Sequence, residues 1–246
     1  MKKLLLFPAL ILTAAALALP ATADDKPRGP TEGWVSLFNG KDLTGWKIHP
    51  NPNPGELTEI IEVKNDAGAL IGYDGKMKKD GSIEHLWRVE NGELIGSGPS
   101  THLFSERDDY VNFIYYIEAK INDHGNSGQY FRTKFAPGFP PGYEAQINAT
   151  HGDPIRTGSL YPDGRTNLRK HRKELCVMNK APHKPDEWFT QEVTAIGNHI
   201  QINVNGRTTV LWEDPDNTFT KGHFALQGHN LGTVVTFRKI EVKELK

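Results

Sequence analysis

Two dipeptides, Asn91-Gly92 and Asn205-Gly206, restrict the fold more than anything else in the chain. Each sits between apolar runs that alternate. Trp87 and Val89 lead into the first, and Leu94 and Ile95 leave it; HIQINV precedes the second and TTVLW follows. A two-residue Asn-Gly connection suits a type I′ turn, whose twist matches that of two paired antiparallel strands. Further strand-like runs follow one another: YVNFIYYIEAKIN, GQYFRTKF, GYEAQIN, EWFTQEVTAIGN, GHFALQGHN and TVVTFRKIEVKEL. No stretch carries a convincing helical period, and no internal repeat is present. Short strands with regular turn signals predict an all-β protein, a sandwich or jelly roll.

The N-terminus reads MKKLLLFPALILTAAALALPATA: two lysines, an apolar run, then Ala21-Thr22-Ala23 ahead of two aspartates. That is the layout of a cleavable signal peptide over residues 1–23, so the expected location is secreted or periplasmic. The apolar run is short for a membrane span, and no membrane association is expected after cleavage. Residues 24–32 read as a polar leader and 33–246 as one domain. Cys176 is the only cysteine, which leaves no internal disulfide, so the core must hold the fold. A formal net charge of −1 gives no basic excess to draw in nucleic acid.

Two segments have weaker signals. HPNPNPGELT carries three prolines, and from there to Ile83 the chain reads as a surface excursion with short edge strands. Asp163 to Lys184 is basic and without period, the pattern of a solvated loop. Trp34, Trp46, Trp87 and Trp188 are assigned to packing.

The richest chemistry lies between Asn126 and Tyr161. Two strands, GQYFRTKF and GYEAQIN, are joined by APGFPP and followed by a polar loop holding Asn148, Thr150, His151, Asp153, Arg156, Thr157 and Ser159. Alternation along the second strand puts Tyr143, Ala145 and Ile147 on one face and Glu144, Gln146 and Asn148 on the other. A carboxylate–amide–amide row of this kind suits a polar cleft on a sheet.

The motifs LFNGKDLTGWK, LWRVENGELIGSG, NSGQYFR, GYEAQIN, TGSLY, EWFTQEV, INVNG, LQGH and TFRKIEVKEL occur in the order found in the 3-keto-disaccharide hydrolase domain family, which the chain resembles over nearly all its mature length. The resemblance implies a concanavalin-A-like jelly-roll β-sandwich of two antiparallel sheets with a concave cleft, and a carbohydrate or glycoside as partner. Gln129 stands where the family often has an aliphatic residue, a departure that bears on one cleft wall. Residues 49–83 are longer than the usual link.

Ordinary glycosidases need two carboxylates across the scissile bond. Glu144-Ala-Gln146-Ile-Asn148 has amides where further carboxylates would stand, and only Asp153 offers a partner. A 3-keto sugar needs less, because its C2 proton is acidified by the neighbouring carbonyl. One base, one electrophile for the enolate oxygen and one proton donor then suffice. The candidates are Glu144 or a histidine as base, Arg132 or a divalent metal ion as electrophile, and Tyr161 or His229 as donor. Tyr130 can stack on a sugar ring, and Asn126, Gln146, Asn148, His151 and Gln227 complete the expected substrate contacts. His124, Glu144, His151 and Asp153 are suitable metal-ligand types, although no compact spacing joins them. Two other functions fit the same fold: a non-catalytic carbohydrate-binding or lectin-like module, and a conventional glucanase.

Overall fold

The computed structural model describes residues 32–246; the expected signal peptide and nearly all of the leader lie outside them. Among these described residues, fifteen strands form two antiparallel sheets. The larger contains β1 (Val35–Ser36), β3 (Leu57–Lys64), β4 (Leu70–Met77), β5 (Ile83–Glu90), β6 (Glu93–Gly96), β8 (Phe113–Ile121), β11 (Phe189–Ile196), β12 (His199–Val204), β13 (Arg207–Glu213) and β15 (Val235–Glu244). The smaller contains β2 (Trp46–Ile48), β7 (Thr101–Ser105), β9 (Ser127–Thr133), β10 (Tyr143–Ile147) and β14 (His223–Gly228). Strand order is β13-β12-β11-β8-β15-β6-β5-β4-β3 in the larger sheet, with β1 beside β15, and β10-β9-β14-β7-β2 in the smaller. This is the expected jelly roll.

The two Asn-Gly turns form as the sequence predicts. Asn91 and Gly92 have φ of 53° and 81°, Asn205 and Gly206 of 49° and 73°, and they close the β5–β6 and β12–β13 hairpins. The core lies between the sheets. Phe113, Tyr115, Ile117, Ala119 and Ile121 of β8 face Phe131, Tyr143, Ala145, Ile147, Phe224 and Leu226 of the smaller sheet. Tyr115 stacks on Phe224 at 4.0 Å, and Phe131 on its cross-strand partner Tyr143 at 5.1 Å. Each of these large side chains is fully buried, and such burial stabilises by about 1.5–3 kcal/mol apiece.

Some expectations need revision. Residues 57–64 and 70–77 are two full eight-residue strands at one edge of the larger sheet rather than short excursion strands. The exposed positions of β3 dilute its apolar signal, as an edge strand allows. The segment after Asp163 contains a 3₁₀ turn over Asn167–His171 and a short helix, α1 (Arg172–Leu175), which bury Leu168 and Leu175. Trp46 and Trp87 are core residues, whereas Trp34 and Trp188 are half-buried. Trp188 lies between Lys120 and Arg238, each about 4.5 Å from its ring. Arg238 belongs to this outer network through its 2.7 Å bond to Glu118.

Strand β10 is one of the two edge strands of the smaller sheet, opposite β2. Its free side is closed by residues 159–161: Gln146 N donates to Ser159 O at 3.0 Å, and Tyr161 N to Glu144 O at 2.8 Å.

Candidate functional site

Cross-strand register builds the site on the outer face of the smaller sheet. Glu144 of β10 pairs with Tyr130 of β9, which pairs with Ala225 of β14 and through it with Phe104 of β7. One step along, Gln146 pairs with Gly128, and Gln227 pairs with His102. Small residues at 128 and 225 leave a groove between the larger side chains. Loops raise its walls into a cleft of about 350 Å³ lined by Asn126, Tyr130, Phe139, Gly142, Glu144, Gln146, Tyr161, Asp163, Gly164, Arg165, Gln227 and His229.

Glu144 is the centre of this cleft. Gln227 Nε2 donates to Tyr130 Oη at 3.1 Å, and Tyr130 Oη donates to Glu144 Oε2 at 2.7 Å. A Cβ at position 128 would overlap Glu144 Oε1 and sit 2.8 Å from its Cγ, so glycine there gives the carboxyl its place. Burial pushes the Glu144 pKa from 4.5 to about 8; the Tyr130 hydrogen bond opposes the shift and the Asp153 charge adds to it. At neutral pH this carboxyl is largely protonated. Burial, and then the neighbouring Glu144, hold the Tyr130 phenol well above its usual range.

His229 stands on another wall, its ring 5.6 Å from Phe139 and 5.5 Å from His151. Its Nδ1 lies 2.8 Å from Asn230 Oδ1, while Asn230 Nδ2 donates to Leu231 O. That orientation of the amide makes Nδ1 the donor and leaves Nε2 as the lone-pair nitrogen. Burial lowers the His229 pKa, keeping the imidazole neutral; the hydrogen bond to Asn230 opposes this shift. In His151, Nδ1 accepts from Asp153 N at 3.0 Å and faces Asn126 Nδ2 at 3.3 Å, so its proton sits on Nε2. Tyr161 donates to Asp153 Oδ2 at 3.0 Å. Its phenol is raised by burial and then by the Asp153 charge.

Two acceptors in the cleft are buried without a partner among the described residues: Asn126 Oδ1 and Gln227 Oε1. An unmet buried acceptor costs roughly 1–3 kcal/mol, and hydroxyl groups of a sugar are suitable donors to both.

Of the residues expected from sequence, Asn126, Tyr130, Glu144, Gln146, Tyr161, Gln227 and His229 line this cleft, and His151 stands behind His229 and Asn126. Arg132 does not. Its φ of 49° marks a bulge in β9 opposite β14, which breaks the alternation that would have put it beside Tyr130. The guanidinium instead donates to the carbonyls of Val111, Gly197 and Phe219 at 2.6–3.1 Å and is 1% exposed. It clamps loops and leaves Glu144 to Tyr130. Asn148 is also a loop holder: Nδ2 donates to Asp153 O and Ile155 O, and Oδ1 accepts from His151 N. Strand β10 ends at Ile147, so the carboxylate–amide–amide row is one residue shorter than the alternation implies. Gln129 faces the larger sheet, where Nε2 donates to Tyr115 O at 3.1 Å and Oε1 accepts from Gln191 at 3.2 Å; it shapes the core and not the cleft wall.

The metal candidates are not assembled. His124 is exposed beside Asp123 at 3.4 Å, and Asp153 accepts from Ile155 N and Tyr161. Among the described residues no three His, Cys, Asp or Glu side chains converge as a ligand set.

Sequence reasoning missed three residues that line the cleft. Asp163 and Arg165 form a two-bond ion pair of 2.9–3.0 Å at the rim, in what read as a solvated loop. Arg165, not Arg132, is the cation of this cleft. Its position two and four residues beyond the motif TGSLY with Asp163 was the available signal. Phe139 was hidden in a proline-rich turn. Beyond the cleft lining, His102, the second residue of the short run THLFS, is 2% exposed and sits edge-on to Tyr130 at 4.8 Å.

A family model, the 3-keto-alpha-glucoside-1,2-lyase-like domain, matches residues 33–243. None of the curated proteins matches the chain in sequence. Among solved structures, a protein of Parabacteroides distasonis ATCC 8503 provisionally described as a glycosyl hydrolase superposes with a TM-score of 0.61 at 21% identity, covering 87% of this chain and 95% of that one. A second protein of that organism, described in the same words, gives 0.57 at 20% identity over 86% and 99%. The carbohydrate recognition domain of Emp47p gives 0.52 at 10% identity over 87% and 96%. At these identities the likeness is one of fold.

Proposed function

Since the chain belongs to the 3-keto-alpha-glucoside-1,2-lyase-like domain family, we propose that it is a secreted enzyme that cleaves the glycosidic bond of 3-keto-glycosides by elimination and hydration. The observation that carries this reading is the buried carboxyl of Glu144, the one buried carboxyl among the residues lining the cleft, anchored by Tyr130 on the floor of a cleft that His229 also lines. The other nearby carboxylates have fixed duties: Asp153 holds Tyr161 and Ile155 N, and Asp163 holds Arg165. That arrangement supports one acid and one base more readily than a carboxylate pair.

The chemistry follows from the 3-keto group. His229 Nε2 takes the proton from C2, and the electrons of that bond move into the C3 carbonyl to form an enolate. Arg165 stabilises the negative oxygen. The enolate collapses, the C1–oxygen bond breaks, and the protonated Glu144 gives its proton to the departing oxygen. Water then adds to C1 of the enone while C2 regains a proton, so the net change is hydrolysis. Asn126 and Gln227 supply acceptors for ring hydroxyls, and Tyr130 and Tyr161 supply aromatic walls.

The test is incubation in D₂O with a 3-keto-glucoside and with its unoxidised parent. Release from the keto form alone, with deuterium at C2 above the enzyme-free background, is expected, with release lost in Glu144→Gln and the C2 deuterium lost in His229→Gln. Release without C2 deuterium overturns the elimination route. Release from the parent favours a glucanase. Binding without release favours the second reading, a carbohydrate-binding module, which the unpartnered acceptors of Asn126 and Gln227 suit equally well.

A further inference from the structure

His102 carries an obligation that none of its neighbours meets. It belongs to β7 and pairs with Gln227, one residue beyond the Leu226–Gln129 pair, so its side chain shares the outer face with the cleft floor. It is 2% exposed, and neither Nδ1 nor Nε2 has a hydrogen-bond partner among the described residues. Its surroundings are rings: Tyr130 at 4.8 Å, Phe104 at 6.1 Å and Phe139 at 6.2 Å. A phenylalanine would fill such a place without leaving two polar atoms unmet.

Phe139 is what separates His102 from the cleft. Its ring lines the cleft, touches both His229 and His102, and is 39% exposed. The turn that bears it is anchored through backbone: Gly138 N donates to Pro52 O, and Lys134 N to Pro141 O. The ring itself can therefore turn about its own side-chain bonds without moving the loop, a fast motion for an exposed side chain.

Distance fits a second unit. From β10 to β7 there are three strand spacings, ~14 Å between backbones, and Tyr130 bridges the side chains between them, its hydroxyl on Glu144 and its ring edge-on to His102, so a single ring beyond the glycosidic oxygen has the reach to meet the imidazole. Glu144 stands at one end and His102 at the other, with Gln227 Oε1 beside it in register.

We propose that His102 is a sugar-contacting residue of an extended cleft, reached when the Phe139 ring turns aside, and that it binds the polyhydroxylated group attached to the glycosidic oxygen. This rests on the reading of the cleft as a 3-keto-glycoside site. The imidazole is neutral, its pKa lowered to about 3 by burial and then by His229 and Arg165. One ring nitrogen therefore donates and the other accepts, the pair of roles a sugar hydroxyl offers in return.

The experiment compares a 3-keto-disaccharide with methyl 3-keto-glucoside, whose leaving group is too small to reach His102. In His102→Phe, KM for the disaccharide is expected to rise about five- to tenfold, as loss of one to two ordinary hydrogen bonds predicts, with kcat and the methyl glycoside nearly unchanged. An equal effect on both substrates, or none on either, overturns the proposal and leaves His102 as packing for Tyr130. Histidine-ring ¹⁵N spectra of the unaltered protein, titrated with the unoxidised disaccharide and with methyl glucoside, supply a readout that needs no turnover and no variant. A His102 shift with the disaccharide alone supports the subsite even if keto-glycoside cleavage fails. No His102 shift with either sugar refutes it.

Discussion

Replacing Glu144 by Gln should make the protein more stable, and increasingly so as pH rises. The folded chain keeps a proton on Glu144 up to pH of about 8, whereas the unfolded chain releases it near 4.5. Between those values the folded state binds more protons than the unfolded one, so stability falls with rising pH across that window and levels off above it. Each pH unit costs 1.36 kcal/mol, or about 3 kcal/mol by pH 7 and roughly 4 by pH 8. Glutamine has the same shape, can accept from Tyr130, and has no proton to lose. The stability gap between variant and parent should therefore be under about 1 kcal/mol at pH 5 and widen by about 3–4 kcal/mol at pH 8. For a chain of this size that is on the order of 10 °C in Tm. Urea or thermal unfolding of both proteins from pH 5 to pH 9 measures it, and titrating groups not coupled to Glu144 cancel in the difference. A gap that stays flat, or narrows as pH rises, refutes the buried-acid reading of Glu144.

Three further outcomes follow from the same geometry. Tyr130→Phe removes the hydrogen bond that holds the Glu144 pKa down, so the alkaline limb of the pH–rate profile should move to higher pH while kcat falls; a limb that stays in place argues against the contact. Gly128→Ala puts a methyl group onto Glu144 Oε1 and should lower kcat at least tenfold with unfolding transitions shifted by under about 3 kcal/mol, read by parallel kinetics and denaturation. Arg132→Met leaves the carbonyls of Val111, Gly197 and Phe219 without their donor and should cost about 3–5 kcal/mol of stability. Its activity per folded molecule should persist well below the melting temperature, and loss of activity without loss of stability would return Arg132 to the chemistry.

The sandwich was legible because its signals are local. Asn-Gly turns and alternating runs report on a few neighbouring residues, and the hairpins they predict are the ones that form. Glu144, Gln146 and Tyr130 were legible for the same reason, since alternation along a regular strand assigns their face. Arg132 was not, because a single positive φ at a bulge reverses the face, and nothing in GQYFRTKF marks where the bulge falls. Gln129 was tied to the cleft wall only through the family resemblance, whereas its partners, Tyr115 and Gln191, place it in the core. Arg165, Phe139 and His102 come together only through loops and through pairings between segments far apart in sequence. Composition instead pointed Arg165 to solvent.

The strand that bears Glu144 is the last of its sheet, and residues 159–161 close the side on which another strand would add. The same short segment ends in Tyr161, which lines the cleft. It holds the edge by a few backbone bonds and the Ala145–Leu160 bridge, with Leu160 buried in the core. A cut in the loop between His151 and Arg156 would thus do two things at once. It would release Tyr161 and Asp153 from the cleft, and it would bare the apolar-alternating edge of β10 to strands of other molecules. Loss of activity and self-association should appear together during limited proteolysis, and ligand that steadies the cleft should delay both.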